Sequence, residues 1–294
     1  MWISDKWKEY RLLDCGEGLR LEDWNGHRLV RPDPQAIWRK ARPALWERPD
    51  AVYHRSKSGG GSWEIFSLPA GWQLGYGDMK FNIKPMTFKH TGVFPEQGAN
   101  WDFIRAAVGA RGGKARVLNL FAYTGGATLA AAKAGAEVCH VDAARGMVDM
   151  AKENARASGL ENAPIRYIVD DCIKFVRREI NRGRRYDAII MDPPSYGRGP
   201  RGEVWRFEDN IEDFVQLCTQ VLSDEPLFML ISSYTEGVSP AVAEYILSTA
   251  LKRRFGGETE SGELALPVES TGLALPCGGA SRWIARKEAG KCLR

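Results

Sequence analysis

The chain has 294 residues, 44% of them hydrophobic and 27% charged, with a formal net charge of +4. That length and balance suit an ordinary globular protein holding one large domain, or one large and one small. No apolar stretch approaches the thickness of a bilayer, the longest being Leu227–Ile231, which excludes a membrane-spanning role; the mild basicity suits a polyanionic partner without requiring one.

Six cysteines (Cys15, Cys139, Cys172, Cys218, Cys277, Cys292) and four histidines (His27, His54, His90, His140) are dispersed without a C-x-x-C pair, so no metal site is expected. The opening residues Met1–Glu9 carry acids and tryptophans where an export leader needs an apolar core. Together with the scattered thiols this predicts a cytoplasmic protein.

Up to about Asn100 the chain is rich in Trp, Gly and Pro and shows little helical periodicity. Arg28–Val30, Ala51–Tyr53 and Trp63–Leu68 read as short strands, separated by turns at Trp24–Gly26, Gly59–Gly61 and Ala70–Gly71. Only Pro34–Lys40 looks helical. A small β-rich domain is expected over residues 1–98.

From about Trp101 strands and helices alternate. Arg116–Phe121 is an apolar strand, followed by the Gly125–Gly126 turn and a small-residue helix, Ala127–Ala134, that Gly135 ends. Strand Glu137–Val141 precedes helix Arg145–Ser158. Strand Ile165–Val169 precedes a basic helix, Ile173–Asn181. Asp187–Met191 and Leu227–Ser232 are the fourth and fifth strands. This alternation predicts an α/β domain over residues 99–294, with a doubly wound parallel sheet covered on both faces.

Ligands of such sheets bind beyond the carboxyl ends of the strands, so the residues that follow each strand are the informative ones. After the first strand, Asn119–Gly126 ends in paired glycines that let the backbone pass close to a ligand, and the next helix offers peptide N–H groups; a plain strand-to-helix turn reads the same way. After the second, Asp142 can accept both hydroxyls of a ribose, or simply cap the following helix. After the third, Asp170 and Asp171 offer one acceptor for an adenine amine and one helix cap. The fourth ends in Asp192-Pro193-Pro194-Ser195-Tyr196. Two prolines in succession hold an extended turn whose carbonyls and Asp carboxylate face outward as acceptors for a planar amine or ring edge.

Taken together, these four ends resemble class I S-adenosylmethionine-dependent methyltransferases, and more closely the bacterial family of large-subunit rRNA cytosine-C5 and guanine-N7 methyltransferases. The resemblance runs from about His90 to Tyr234 and includes Thr91-Gly92-Val93-Phe94-Pro95-Glu96-Gln97-Gly98, similar to a family segment in which Gly98 is an Arg. It implies a mostly parallel, seven-stranded Rossmann-like sheet and S-adenosylmethionine as cofactor. It also implies a cofactor set of Gln97, Tyr123, Thr124, Gly125, Asp142, Ala143, Asp171, Cys172 and Asp192: Tyr123–Gly125 on the methionine, Asp142 on the ribose, Asp171 on the adenine. Asp192 and the Pro193 carbonyl would hold the acceptor, and Tyr196 would stack on it. The substrate implied is ribosomal RNA.

Two features bear on the acceptor atom. Cytosine-C5 members place a Cys nucleophile after the fifth strand, because C5 is activated by covalent attack at the neighbouring carbon. Here that turn reads Ser232-Ser233-Tyr234-Thr235, and only Cys277 offers a substitute, so a nitrogen acceptor is favoured. The Trp-rich first domain does not match the RNA-binding domain usual in those members, although its rings could stack on unpaired bases. The glycine-rich stretch Tyr196–Gly202 and the arginines Arg177, Arg178, Arg182, Arg184 and Arg185 are candidate RNA contacts; a solvated loop and a cationic helix end are their plain readings. Alternatives are a methyltransferase acting on a small molecule or protein, and a non-catalytic RNA-binding scaffold. A nicotinamide-dependent oxidoreductase would need the three-glycine fingerprint that the first turn lacks.

Overall fold

The structure is a computed structural model that describes residues 1–56, 60–112, 114–198 and 204–286. The chain divides into two compact units, Met1–Ala99 with Leu264–Cys277, and Asn100–Glu263 with Gly278–Arg294. A single cut near residue 98 therefore misses the return of residues 264–277 to the first unit.

The first unit is β-rich. Tyr10–Gly16, Leu19–Trp24, His27–Pro32, Ala51–Arg55 and Gly61–Ile65 form a five-stranded sheet in that order, and Trp72–Tyr76 pairs with Met79–Ile83. The turn at Asn25–Gly26 has both residues left-handed (φ 55° and 89°), the geometry that reverses a strand in two residues. Pro34–Lys40 is not a helix. Its backbone bonds sideways to the first hairpin, Glu17 N–H to the Trp38 carbonyl (2.6 Å) and Gly18 N–H to that of Ala36 (2.8 Å), so the four-residue helical spacing never forms. The short 3-10 turn of the region lies later, at Pro43–Trp46.

The core of this unit holds charge. Trp24, Leu21 and Leu29 are buried, and so are Arg20, Glu22 and Arg31. Arg31 grips Glu22 with two parallel bonds, Nε to Oε2 (2.6 Å) and Nη2 to Oε1 (2.7 Å), while the Tyr10 hydroxyl donates to Oε1 (2.8 Å). Burial alone would raise the Glu22 carboxyl; Arg20 and Arg31 overrule it and hold it at about 2.

The second unit carries the alternating pattern. Its main strands are β1 (Arg116–Leu120), β2 (Glu137–Asp142), β3 (Ile165–Val169), β4 (Ala188–Met191), β5 (Phe228–Ser233), β6 (Glu258–Pro267) and β7 (Ala274–Ile284). Helices are α1 (Gly98–Ala110), α2 (Gly126–Lys133), α3 (Arg145–Ala157), α4 (Cys172–Asn181), α5 (Phe207–Thr219) and α6 (Pro240–Phe255). The order across the sheet is 3-2-1-4-5-7-6. Strands β1 to β5 run parallel and β7 is antiparallel to β5. Residues 264–267 of β6, on the first-unit side of the chain division, add one more strand, Trp2–Ile3, making eight.

Strands β4 and β5 are buried along their whole length, as parallel strands covered on both faces must be, which is why they read as unbroken apolar runs. Helix α4 buries Cys172, Phe175, Val176 and Glu179, a stripe at helical spacing with a carboxylate in its last place. Strand order reverses between β1 and β4, and at such a switch point the loops part to leave a crevice.

Candidate active site

The loop after β1 is the most strained backbone in the second unit. Phe121 (φ 53°), Tyr123 (φ 51°) and Gly125 (φ 91°) all take left-handed conformations, which costs the two aromatic residues about 1–3 kcal/mol each. The surroundings hold them there. Ala122 N–H bonds the Val141 carbonyl (3.0 Å), Tyr123 N–H the Asp142 carboxylate (2.8 Å), and buried Asn154 donates to the Thr124 carbonyl (2.9 Å). A Cβ on Gly126 would sit 2.5 Å from the Trp101 ring, so space requires that glycine, while Gly125 is favoured by its left-handed backbone and by the 3.1 Å approach of the Ala151 Cβ.

The four strand ends are tied into one hydrogen-bonded edge. Besides the Tyr123–Asp142 bond, Asp170 N–H bonds the Asp142 carbonyl (3.1 Å), Phe121 N–H the Cys172 thiol (3.3 Å), and Asp192 N–H the Leu120 carbonyl (3.4 Å). Tyr123, Thr124, Gly125, Asp142, Ala143, Asp171, Cys172 and Asp192 thus stand on neighbouring loops. Gln97 is buried in a 3-10 turn, Pro95–Gln97, of the first unit. Beside it, a Cβ on Gly98 would meet Ser4 Oγ at 2.3 Å, so the position where the similar family carries Arg has no room for a side chain.

Asp142 is not a helix cap. The cap position of α3 is Ala144, and Asp142 instead folds its own turn by accepting from Ala144 N–H (2.8 Å). Each of its oxygens takes one backbone N–H, so about one lone pair on each remains. Burial, with no cation beside it, raises its carboxyl despite those two bonds. A half-buried carboxylate with one acceptor site left on each oxygen fits a pair of ribose hydroxyls. Asp171 does cap α4, through Oδ1 to Lys174 N–H (2.9 Å), and its second oxygen keeps its acceptor capacity. Asp170, the other member of the pair, is bound by Arg178. The Cys172 side chain is buried in the core, which leaves its main chain as the only part able to face a ligand.

At the β4 end, Pro193 is buried, Asp192 is half-buried, and Tyr196 is 50% exposed. The stretch after Tyr196 is a hairpin: Tyr196–Arg198 pairs antiparallel with Val204–Arg206, while residues 199–203 of the predicted basic loop lie outside the described residues. Trp205 locks the Pro-Pro turn by donating from Nε1 to the Pro194 carbonyl (2.7 Å), and Thr235 Oγ1 donates to Ser195 Oγ (3.0 Å).

Several supporting residues escaped sequence reasoning. Asn154, Trp101 and Trp205 hold loops they are remote from in sequence. Asn154 had a signal, a polar side chain on the buried stripe of α3; the two tryptophans had none beyond their size. Below the β1 loop, Asn119 donates to Thr128 Oγ1 (2.9 Å), which pairs with His140 Nδ1 (2.9 Å). His140 is fully buried, and desolvation first, then Lys152, lowers its ring to about 3. It is neutral, and its Nε2 has no partner among the described residues. Among the described residues no helix is long and apolar enough to cross a membrane, and no group of three or more His, Cys, Asp or Glu could hold a metal ion.

Comparisons with known proteins identify the family. Residues 51–207 match the family model of S-adenosylmethionine-dependent methyltransferases. A ribosomal RNA large subunit methyltransferase I of Aeromonas salmonicida is 38% identical over 107 residues, 36% of this chain and 26% of that protein. Another, from Erwinia tasmaniensis, is 30% identical over 155 residues, 52% of this chain and 38% of that one, so the match spans well under half of these curated relatives. The SAM-dependent methyltransferase structure from Agrobacterium tumefaciens is 38% identical, covers 95% of this chain and 91% of its own, and superposes with a TM-score of 0.89. With a family model matched over more than half of its length and a relative of this kind, the chain belongs to the S-adenosylmethionine-dependent methyltransferase family.

Proposed function

We propose that the protein methylates a base of large-subunit ribosomal RNA, at a nitrogen rather than at cytosine C5, and that the loops above hold cofactor and acceptor. The observation that carries this reading is the Asp192–Tyr196 turn: a half-buried carboxylate in a backbone fixed by two prolines and by Trp205, followed by a half-exposed ring. Those are the groups that grip the amine edge of a base and stack on its face.

When bound, the cofactor supplies a methyl group already activated on a sulfonium. The protein's part is therefore alignment and exclusion of water. Tyr123, Thr124 and Gly125 line the methionine portion, Asp142 and Ala143 the ribose, and Asp171 with the Cys172 main chain the adenine. Asp192 and the Pro193 carbonyl orient the acceptor; Asp192 can take a proton late if the acceptor is an amine, and none need be taken from a ring nitrogen.

Nitrogen is favoured for two reasons. The turn after β5, Ser232-Ser233-Tyr234-Thr235, holds no thiol. Cys277 is a poor nucleophile: burial, and then the nearby Glu96, push its thiol well above the ordinary range, whereas C5 chemistry needs a thiolate. The names of the curated relatives support RNA as substrate.

Tritiated S-adenosylmethionine incubated with total RNA, with and without prior RNase, tests the substrate class. Label should enter the RNA and disappear with RNase; label that survives in a protein or small-molecule fraction retires the reading. Mass-spectrometric nucleoside analysis of rRNA from a deletion strain then identifies the base.

A further inference from the structure

The arginines around the end of α4 are more than a helix terminus needs. Residues 166–186 carry seven cations (Arg166, Lys174, Arg177, Arg178, Arg182, Arg184, Arg185) against three acids (Asp170, Asp171, Glu179), an excess equal to the +4 of the whole chain. Every other part of the protein, taken together, is formally neutral.

The acids in this stretch are already engaged. Glu179 is fully buried; burial would raise its carboxyl, but Tyr186, Arg166 and Arg182 together hold it below the ordinary range. Asp170 is taken by Arg178, and Asp171 caps α4. Among the described residues three exposed guanidinium groups have no carboxylate partner: Arg177, Arg184 and Arg185, the last donating to the Arg184 carbonyl (3.0 Å). A helix dipole is served by one or two cations in its last turn and fades beyond it. Gly183, at φ 65°, has already taken the chain out of helical conformation before Arg184 and Arg185. These two therefore add like charge that the helix does not use.

We infer that this patch is a binding surface for the phosphodiester backbone of an RNA substrate. The inference rests on the RNA reading proposed above. The placement suits it. Helix α4 starts beside Asp171, on the site edge, and its ten residues carry the chain about 15 Å away. A stacked strand advancing about 3.4 Å per nucleotide covers that span in roughly four or five nucleotides. Guanidinium groups match phosphate geometry and remain charged at any working pH.

The test is the salt dependence of binding to a short mixed-sequence single-stranded oligoribonucleotide, measured on the full chain for the wild type and for the combined variant Arg177→Ala, Arg184→Ala, Arg185→Ala. Losing three phosphate contacts lowers the slope of log affinity against log salt by about 2, and weakens binding roughly tens of fold near physiological salt. The KM for RNA should rise while kcat, calorimetric affinity for S-adenosylmethionine and melting temperature hold. The corresponding triple Lys variant, which keeps the charge, should retain the wild-type slope. An unchanged slope in the Ala variant, with wild type still methylating RNA, overturns the surface and leaves the substrate reading standing. Wild type that neither binds the oligonucleotide nor labels RNA overturns both. If the Ala variant instead releases phosphatidylserine-containing vesicles that the wild type holds, and binds RNA unchanged, the patch faces a membrane surface and the inference falls.

Discussion

Glu22 in the first unit and Asp142 in the second are both carboxylates taken out of water, and their environments push them in opposite directions. Glu22 lies against two guanidinium groups and a tyrosine hydroxyl; it accepts three charge-assisted or hydroxyl bonds, two on Oε1 and one on Oε2, and is held at about 2. Asp142 has no cation; two backbone N–H groups hold it in place, one on each oxygen, and burial raises it. The first arrangement is closed and can only stabilise a fold. The second is half open: among the described residues one donor reaches each oxygen, and a lone pair on each remains. Burial and a shifted carboxyl are common to both, so neither marks a site by itself. Unfilled acceptor capacity beside strained backbone is what separates them.

The largest effect expected from breaking this contrast is on the closed side. Glu22→Gln leaves Arg31 buried without its counter-charge and Arg20 with Asp33 alone (3.7 Å), and removing one partner of such a network costs about 3–5 kcal/mol. Denaturant unfolding should show that loss as a lower midpoint. A loss below about 1 kcal/mol, the range of an exposed pair, would mean the cluster is solvated and the contrast false. On the open side, Asp192→Ala should cost little stability and about a hundredfold or more in turnover, because misplacing the acceptor by an ångström has that effect, while calorimetry finds cofactor affinity nearly intact. Retained turnover would place the acceptor elsewhere.

The same contrast explains what could be read from the sequence. Strands β1 to β5 were legible because short, mainly apolar runs alternate with helices, and Asp142, Asp170, Asp171 and Asp192 because they stand at or directly after the ends of β2, β3 and β4. The Asp-Pro-Pro turn was legible because two prolines leave the backbone few conformations. The first unit was legible in part: its β-rich character and the strands at Arg28–Val30, Ala51–Tyr53 and from Trp63 could be read, but Tyr10–Gly16 and Leu19–Trp24 carry Arg, Asp and Glu on their buried faces, so the alternation that marks a strand was broken there by the network in the core. Pro34–Lys40 was misread as helix because its pairing partner, the turn at Glu17–Gly18, is a tertiary neighbour and not a local one. Of the candidate site, the acids at the strand ends were visible, and the residues that lie against its loops, Asn154 at Thr124, Trp101 at Gly126 and Trp205 at Pro194, were not.

A smaller effect sharpens the open side. Asp142→Asn keeps the shape, but one oxygen becomes an NH₂ group that faces a backbone N–H or a ribose hydroxyl with the wrong polarity. Loss of charge-assisted bonds of this kind costs about 1.5–3 kcal/mol. The dissociation constant for S-adenosylhomocysteine should therefore rise roughly ten- to hundredfold, with kcat at saturating cofactor little changed. An unaltered constant would remove Asp142 from the ribose and leave it as a turn-former only.

The smallest effect concerns His140, which stands between the two cases: buried like Glu22, half satisfied like Asp142. Its folded ring stays neutral down to about pH 3, while the unfolded ring takes a proton near 6.5. Below 6.5 the unfolded state thus binds the extra proton, and stability falls with falling pH by at most about 1.4 kcal/mol per unit. His90, lowered to about 4 by burial and then by Arg31, Lys89 and Arg20, acts in the same direction. Glu22 enters only later, its contribution being complete above 4.5 and lost towards 2. The window from 6.5 to 4.5 keeps Glu22 out; the carboxyls of Glu96 and Asp142, raised by burial, act in the opposite direction, so the His140 contribution is read from the difference between wild type and variant. In it, His140→Gln, which removes the titration and keeps a neutral side chain able to bond Thr128, should flatten the stability profile without abolishing the part due to His90. An unchanged slope would mean that water or another donor reaches Nε2, and that the floor beneath the Tyr123 loop is open where the structure has it closed.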